Sequence, residues 1–138
     1  MRRSEITIEQ ASDEGTGLLT LADLLNKRAA CTPDRCAFIF LRDGENDEER
    51  ITYGQLYNSA LAISRELTEA TRPGDRALMF YPAGLEFIKA LFGCFYAGVI
   101  AVPAYPPRKN RSLERLRALA SDSGASIVLS TDDIRQTS

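Results

Sequence analysis

A single glycine separates an apolar helical pattern from a short apolar run that prolines then interrupt. Apolar residues recur at helical spacing from Leu85 to Phe95, and Gly98 predicts the end of that helix. Residues 99–102 predict a short buried strand, and Pro103 predicts its end because proline cannot donate to a central ladder. A helix that leads into a buried strand through one glycine is typical of a βαβ unit. The sequence therefore favours an α/β fold.

The remaining apolar runs fit the same fold. From Arg76 onward the pattern predicts strand, helix, strand, helix and a last strand at residues 126–130. Helical crossovers between strands imply a parallel sheet with right-handed connections and helices on both faces. Residues 36–41 and 50–52 predict an antiparallel pair around an acidic turn. The expected fold class is a partial three-layer αβα arrangement with a mostly parallel sheet, plus an antiparallel strand pair near residues 36–52.

Two helix starts carry their own signals. Thr20 predicts the N-cap of the first helix, and Thr52 with Gln55 predicts a capping box at the start of the second. Residues 1–19 are polar with scattered charge and are expected to form a loose leader. The expected organisation is this leader followed by an incomplete domain over residues 20–138.

Composition excludes several function classes. The chain has no histidine, so the commonest general base and metal ligand are missing. A net charge of −2 gives no field that would hold nucleic acid or an acidic membrane. The uncharged stretch at residues 90–105 is too short and too glycine- and proline-rich for a membrane span. Three irregularly spaced cysteines fit a reducing cytoplasm, and Cys31, Cys36 and Cys94 are each expected to be small core residues.

Two segments resemble core motifs of the adenylate-forming enzymes. Residues 51–56, Ile-Thr-Tyr-Gly-Gln-Leu, resemble the family's first core motif, and residues 95–107 resemble the second. A Pro-Gly-Asp turn lies between them, as in the family, and the resemblance covers the chain from about Leu19. Residues 105–107 together with residues 110–116 are similar to the fatty acyl-AMP ligase branch in particular.

The resemblance implies an enzyme that activates a fatty acid with ATP and Mg²⁺, releases pyrophosphate and passes the acyl group to an acyl carrier protein. In such enzymes the carboxylate attacks the α-phosphate, and the protein contributes positioning and charge neutralisation. The family's phosphate loop, adenine motif, ribose-binding Asp and catalytic Lys have no counterpart here and would lie beyond Ser138. We therefore assign no catalytic, cofactor-binding or metal-binding residue, and expect the chain alone to be inactive and to bind neither ATP nor Mg²⁺.

Two residue groups remain open to a functional or a structural interpretation. A basic cluster either contacts an anion, such as a phosphate or a partner's acidic face, or forms a solvated helix face. Four aromatic residues either line an acyl-chain pocket or pack in the core. The basic cluster is Arg108, Lys109, Arg111, Arg115 and Arg117, and the aromatic group is Tyr81, Phe87, Tyr96 and Tyr105.

The alternative to an enzyme part is a stand-alone interaction or dimerisation module built on the same fold. Residues 131–133 predict the start of a helix that is then cut short, so the strand at residues 127–129 would lose cover on at least one face. An uncovered sheet face and an unpaired edge favour association. We expect the chain to form a dimer or a higher oligomer.

Overall fold

The computed structural model describes residues 20–104 and 113–130. The predicted leader, the proline-rich loop after residue 104 and the helix start at residues 131–133 lie outside these ranges. The described chain alternates helices and strands. Its elements are α1 (Leu21–Cys31), β1 (Cys36–Leu41), β2 (Glu48–Thr52), α2 (Tyr53–Ala70), β3 (Arg76–Phe80), α3 (Leu85–Ala97), β4 (Ile100–Ala104), α4 (Leu113–Ser123) and β5 (Ile127–Ser130).

The strands form two separate sheets. β1 and β2 pair antiparallel, with Ile39 opposite Arg50. β3 lies between β4 and β5 in a parallel sheet, with Leu78 opposite both Val102 and Val128. This mixed α/β architecture, a parallel sheet with an additional antiparallel pair, confirms the predicted fold class.

Alternate residues of β3 point to opposite faces of the parallel sheet. Both faces carry apolar side chains, and helices pack against them. Ala77 and Met79 are buried in one cluster with residues of α2 and α3. Leu78 and Phe80 face the other side and are also buried. On that side Arg76 Nη1 donates to the Ser123 carbonyl at the end of α4, at 3.0 Å, and α4 packs against β3.

A second apolar cluster holds the antiparallel pair to the helices. Leu25 of α1, Ile51 of β2 and Leu56 of α2 form its buried centre. Residues of α3 pack against it, so α3 contributes to both clusters. The partly buried members are Ala37, Tyr53, Tyr57, Leu85, Ile88, Phe92 and Tyr96.

Both predicted helix caps are present. Thr52 Oγ1 accepts from the Gln55 N–H at 3.1 Å, and Gln55 Oε1 accepts from the Thr52 N–H at 2.9 Å. Thr20 caps α1 in the same way, with Asp23 completing the box. Gly98 ends α3 at φ 72°, a left-handed conformation that glycine adopts without a steric penalty. Local sequence therefore determines where these helices begin and end.

Replacing Thr52 with alanine should lower the free energy of unfolding by about 1 kcal/mol, because the Gln55 N–H loses its acceptor. Thr68→Ala is the matched control, since Thr68 lies within α2 and its hydroxyl donates to the Ser64 carbonyl. We expect the control to be close to neutral, because alanine is the stronger helix former. Urea denaturation followed by circular dichroism measures the stability of both variants. Equal denaturation midpoints for Thr52→Ala and the original chain would contradict the capping role of Thr52.

The prediction that Pro103 ends a buried strand was wrong in two respects. β4 includes Pro103, which lies opposite Met79, and Ile100 at its start is 49% exposed. Val99, predicted within the strand, is buried but precedes it. Among the described strands β4 pairs only with β3, and an edge position tolerates proline because its missing N–H can point away from the neighbour.

Candidate functional site

The candidate site is a cleft of about 510 Å³ beside the carboxyl end of β3. Ligands of open α/β sheets bind outside the carboxyl ends of the strands. The β1–β2 hairpin and α2 form one side of it, and the loop that joins β3 to α3 forms the other side together with the first turns of α3. Its polar lining side chains are Glu49, Arg50, Gln55, Ser59, Glu86 and Lys89.

The charged side chains of this cleft are paired with one another or with close neighbours. Glu86 Oε1 lies 3.3 Å from Lys89 Nζ, and Arg50 Nη2 lies 2.8 Å from Glu48 Oε2. Glu49 accepts from Arg42 at 2.5 Å, and this hydrogen bond lowers the pKa of the Glu49 carboxyl. No cation of the cleft is left unpaired for a phosphate within the part of the chain that the structure describes.

Magnesium is implied by the family resemblance, and the described residues do not fit it. Residues 20–104 and 113–130 contain no cluster of three metal-ligating side chains. The two carboxylates of the cleft, Glu49 and Glu86, are already engaged by Arg42 and Lys89. The arrangement can shape a wall of a binding site, and its acidic and basic side chains are held in ion pairs.

A second concavity, which we call the α1–β1 groove, is apolar. It has a volume of about 580 Å³ and lies between α1 and β1, with walls from α2 and α3. Leu21 and Ile39 remain 45% and 49% exposed at its sides. Arg28 is the charged residue in its lining. The apolar wall residues are Leu21, Leu24, Leu25, Ala37, Phe38, Ile39, Leu56 and Phe92.

The three aromatic candidates that the structure describes are divided between the two apolar clusters. Tyr81 and Phe87 pack against the cluster on the parallel sheet, and Tyr96 packs in the second cluster. Tyr105 lies outside the described residues. Packing in the core is therefore the role of these three, as the structural interpretation predicted.

Tyr96 also joins α3 to α1. Its hydroxyl donates to Asn26 Oδ1 at 2.6 Å and lies 3.2 Å from the Ala22 carbonyl. The Tyr57 ring meets it edge-on, with ring centroids 6.0 Å apart. Burial, with smaller contributions from Tyr57 and Asp23, raises the pKa of Tyr96 to about 12. The phenol therefore remains a hydrogen-bond donor at neutral pH.

The basic cluster is only partly described. Arg115 and Arg117 are exposed on α4, with the exposed Glu114 beside them. They are two positions apart, so they point to different sides of the helix. Arg108, Lys109 and Arg111 lie outside the described residues. The two arginines that are described fit a solvated helix face.

The cysteines correct one prediction and confirm another. Cys94 is buried in α3, and burial raises the pKa of its thiol to about 11, so it is inert packing as predicted. Cys31 and Cys36 were expected in the core and are exposed. Cys31 ends α1 and Cys36 begins β1, so both lie at the ends of their elements.

Sequence patterns did not indicate the cleft or the α1–β1 groove. Each is lined by segments that are distant in sequence, such as Glu49 with Lys89 and Leu21 with Phe92. The Tyr96–Asn26 bond spans 70 residues and also lacks a local signal. None of the described helices is both long enough and apolar enough to cross a membrane.

Comparison with known proteins identifies relatives over most of the chain. Residues 25–138 match the AMP-binding enzyme family. The chain is 47% identical over 113 residues to the medium-chain-fatty-acid–[acyl-carrier-protein] ligase JamA of Moorena producens, covering 80% of this chain and 19% of JamA. It is 34% identical over 119 residues to the long-chain-fatty-acid–AMP ligase FadD23 of Mycobacterium tuberculosis, a match that covers 84% of this chain and 20% of FadD23.

A solved structure shows the same fold. The fatty acyl-adenylate ligase of L. pneumophila, in complex with acyl adenylate and pyrophosphate, superposes with a TM-score of 0.76 at 38% identity. The match covers 85% of this chain and 20% of that one, so the chain spans about a fifth of the length of these relatives. The family match extends over most of the chain and agrees with the observed fold. The chain belongs to the family of AMP-binding enzymes.

Proposed function

We propose that the protein containing this chain is an ATP-dependent fatty acyl-AMP ligase that supplies an acyl carrier protein. The observation that carries the proposal is the 47% identity to JamA, a medium-chain-fatty-acid–[acyl-carrier-protein] ligase. The structural match to a ligase that holds acyl adenylate and pyrophosphate supports the same chemistry. Fatty acid, ATP with Mg²⁺, and an acyl carrier protein are the proposed substrates, cofactors and partner.

The proposed reaction has two steps. A carboxylate oxygen of the fatty acid attacks the α-phosphorus of ATP, and the bond from that phosphorus to the bridging oxygen breaks, so pyrophosphate leaves. The carrier protein's thiol then attacks the acyl carbon, AMP leaves with the bond electrons, and the thiol proton passes to solvent. Both steps depend on holding charged reactants in line, which favours an ordered scaffold.

This chain contributes scaffold to that enzyme. Its cleft beside β3 has paired charges, and its helices are fixed by the Thr20 and Thr52 capping boxes. We propose that the chain holds no catalytic residue and binds neither ATP nor Mg²⁺ by itself. The exposed free thiols of Cys31 and Cys36 fit a reducing compartment, and we propose a cytoplasmic location.

The isolated chain should show no fatty-acid-dependent exchange between ATP and pyrophosphate, whereas the full protein that contains it should show exchange. Both are assayed with fatty acids of several chain lengths, and the full protein without fatty acid is the control. Exchange by the isolated chain would contradict the scaffold role. A full protein that exchanges only with amino acids or aryl acids would contradict the fatty acyl substrate.

A second property, self-association, is favoured by exposed apolar side chains on three strands. Ile39 of β1, Ile100 of β4 and Val128 of β5 are 49%, 49% and 45% exposed. We propose that the chain forms a dimer or a higher oligomer. Light scattering over a tenfold dilution tests this, and a mass near 15.2 kDa at every concentration would contradict it.

A further inference from the structure

Among the described strands, β1 lies at a sheet edge. It has six residues, Cys-Ala-Phe-Ile-Phe-Leu, without a charge or a proline, and β2 is its partner among the described strands. Phe38, Ile39 and Leu41 are 39%, 49% and 38% exposed. Proteins usually protect such edges with charges, prolines or short strands, because an exposed apolar edge pairs with other chains. Nothing within β1 supplies that protection.

The parallel sheet is less suited to pairing. β4 carries Pro103, which removes a backbone donor, and β5 has only four residues. Ile100 lies on β4 and Val128 lies on β5, and β3 runs between these two strands. Leu78 of β3 is only 2% exposed, so the exposed surfaces of Ile100 and Val128 do not join into one patch. β1 instead adjoins the α1–β1 groove, whose Leu21 continues the exposed apolar surface onto α1.

We propose that two copies of this chain associate by antiparallel pairing of their β1 strands, an inference that rests on the proposed self-association. Pairing of one strand with its own copy is isologous, so it closes at a dimer instead of growing into a fibre. The contact continues the sheet through both copies, in the order β2, β1, β1, β2.

Charges that flank β1 favour a register centred on Ile39 over a neighbouring register. With Ile39 opposite Ile39 of the second copy, Arg35 lies opposite Asp43 of that copy, and the reciprocal pair forms by symmetry. A shift by one residue in one direction places Arg35 opposite Arg42 of the second copy, and like charges directly opposite are unfavourable.

The two flanking groups are available for this contact. Asp43 Oδ1 accepts three backbone N–H groups of the hairpin turn, and Oδ2 makes no hydrogen bond within residues 20–104 and 113–130. The Arg35 guanidinium takes part in none of the ion pairs in that same part of the chain. Apolar pairs fill the centre of this register, with Phe38 opposite Phe40 and Ala37 opposite Leu41 of the second copy.

The first test compares two lysine substitutions at exposed strand positions. Ile39→Lys places two like charges at the proposed two-fold axis, and Val128→Lys is the matched control on β5. Light scattering across a dilution series should show the dissociation constant of the dimer raised at least tenfold by Ile39→Lys and changed less than threefold by Val128→Lys. Circular dichroism establishes that both variants fold.

The second test fixes the register. In a Cys31→Ser, Cys36→Ser background, Ile39→Cys should form a disulfide-linked dimer under mild oxidation, because directly opposite residues have Cβ atoms about 4.5–5.5 Å apart, near disulfide range. Val128→Cys should not cross-link. A dimer that Val128→Lys weakens, or one that cross-links only through Val128→Cys, would overturn the β1 interface and leave self-association standing. An original chain that is monomeric throughout the dilution would overturn both.

Discussion

Replacing Phe80 with alanine should lower the free energy of unfolding by about 3–5 kcal/mol. Phe80 is 1% exposed at the end of β3, between Ala104 of β4 and Ser130 of β5. Removing its ring leaves a cavity on one face of the parallel sheet, at the carboxyl end of its middle strand. Because single domains are stable by about 5–15 kcal/mol, the variant should be close to unfolding at ambient temperature.

Phe38→Ala is the matched control for this experiment. It removes the same atoms from another strand, at a position that is 39% exposed. We expect a loss of about 1 kcal/mol or less, since surface substitutions rarely exceed that. Both variants are measured by urea denaturation at low concentration, where self-association does not contribute. Equal losses for the two variants would show that Phe80 is not the central packing residue.

Gly93→Ala should also destabilise the fold, by about 1–3 kcal/mol, although alanine is the better helix former. A Cβ atom at Gly93 would lie 2.5 Å from Ile63 Cγ2 and 2.8 Å from Ile63 Cβ. These distances are far inside ordinary contact, and α2 or α3 would have to move. Gly93 thus sets how closely the two helices approach.

A double-mutant cycle isolates this contact. Ile63→Ala removes the nearer Cγ2 atom, so Gly93→Ala should cost less in that background than in the original chain. Denaturation midpoints of the four proteins give the coupling energy directly. Additive losses, or a Gly93→Ala variant as stable as the original chain, would mean that the helices adjust without strain.

The sequence predicted correctly those features that depend only on residues close together in the chain. Thr20, Thr52 and Gly98 begin or end helices where the sequence indicated, because caps act over a few positions. Pro103 was misjudged because its tolerance depends on sheet order: among the described strands, β4 pairs only with β3. The exposure of Cys36 likewise depends on what packs beside β1.

The candidate site was less predictable than the fold. Its cleft joins residues of β2, α2 and α3, and no short motif records that Glu49 and Lys89 share a wall. The resemblance to adenylate-forming enzymes identified the chemistry of the family, because the motifs at residues 51–56 and 95–107 match in order and spacing. Within the described residues, those motifs cap α2 at Thr52, end α3 at Gly98 and build β4.

The hydrogen bonds of the Tyr96 hydroxyl affect how α1 unfolds locally. A helix at the beginning of a described domain ordinarily frays, and its amides exchange with solvent ahead of the core. Here Asn26 and the Ala22 carbonyl of α1 meet a side chain from α3, 70 residues away from Asn26 along the chain. α1 can leave only if that bond breaks and Leu25 leaves its buried cluster. The amides of α1 and those of α3 should therefore exchange hydrogen with solvent together, as one cooperative unit.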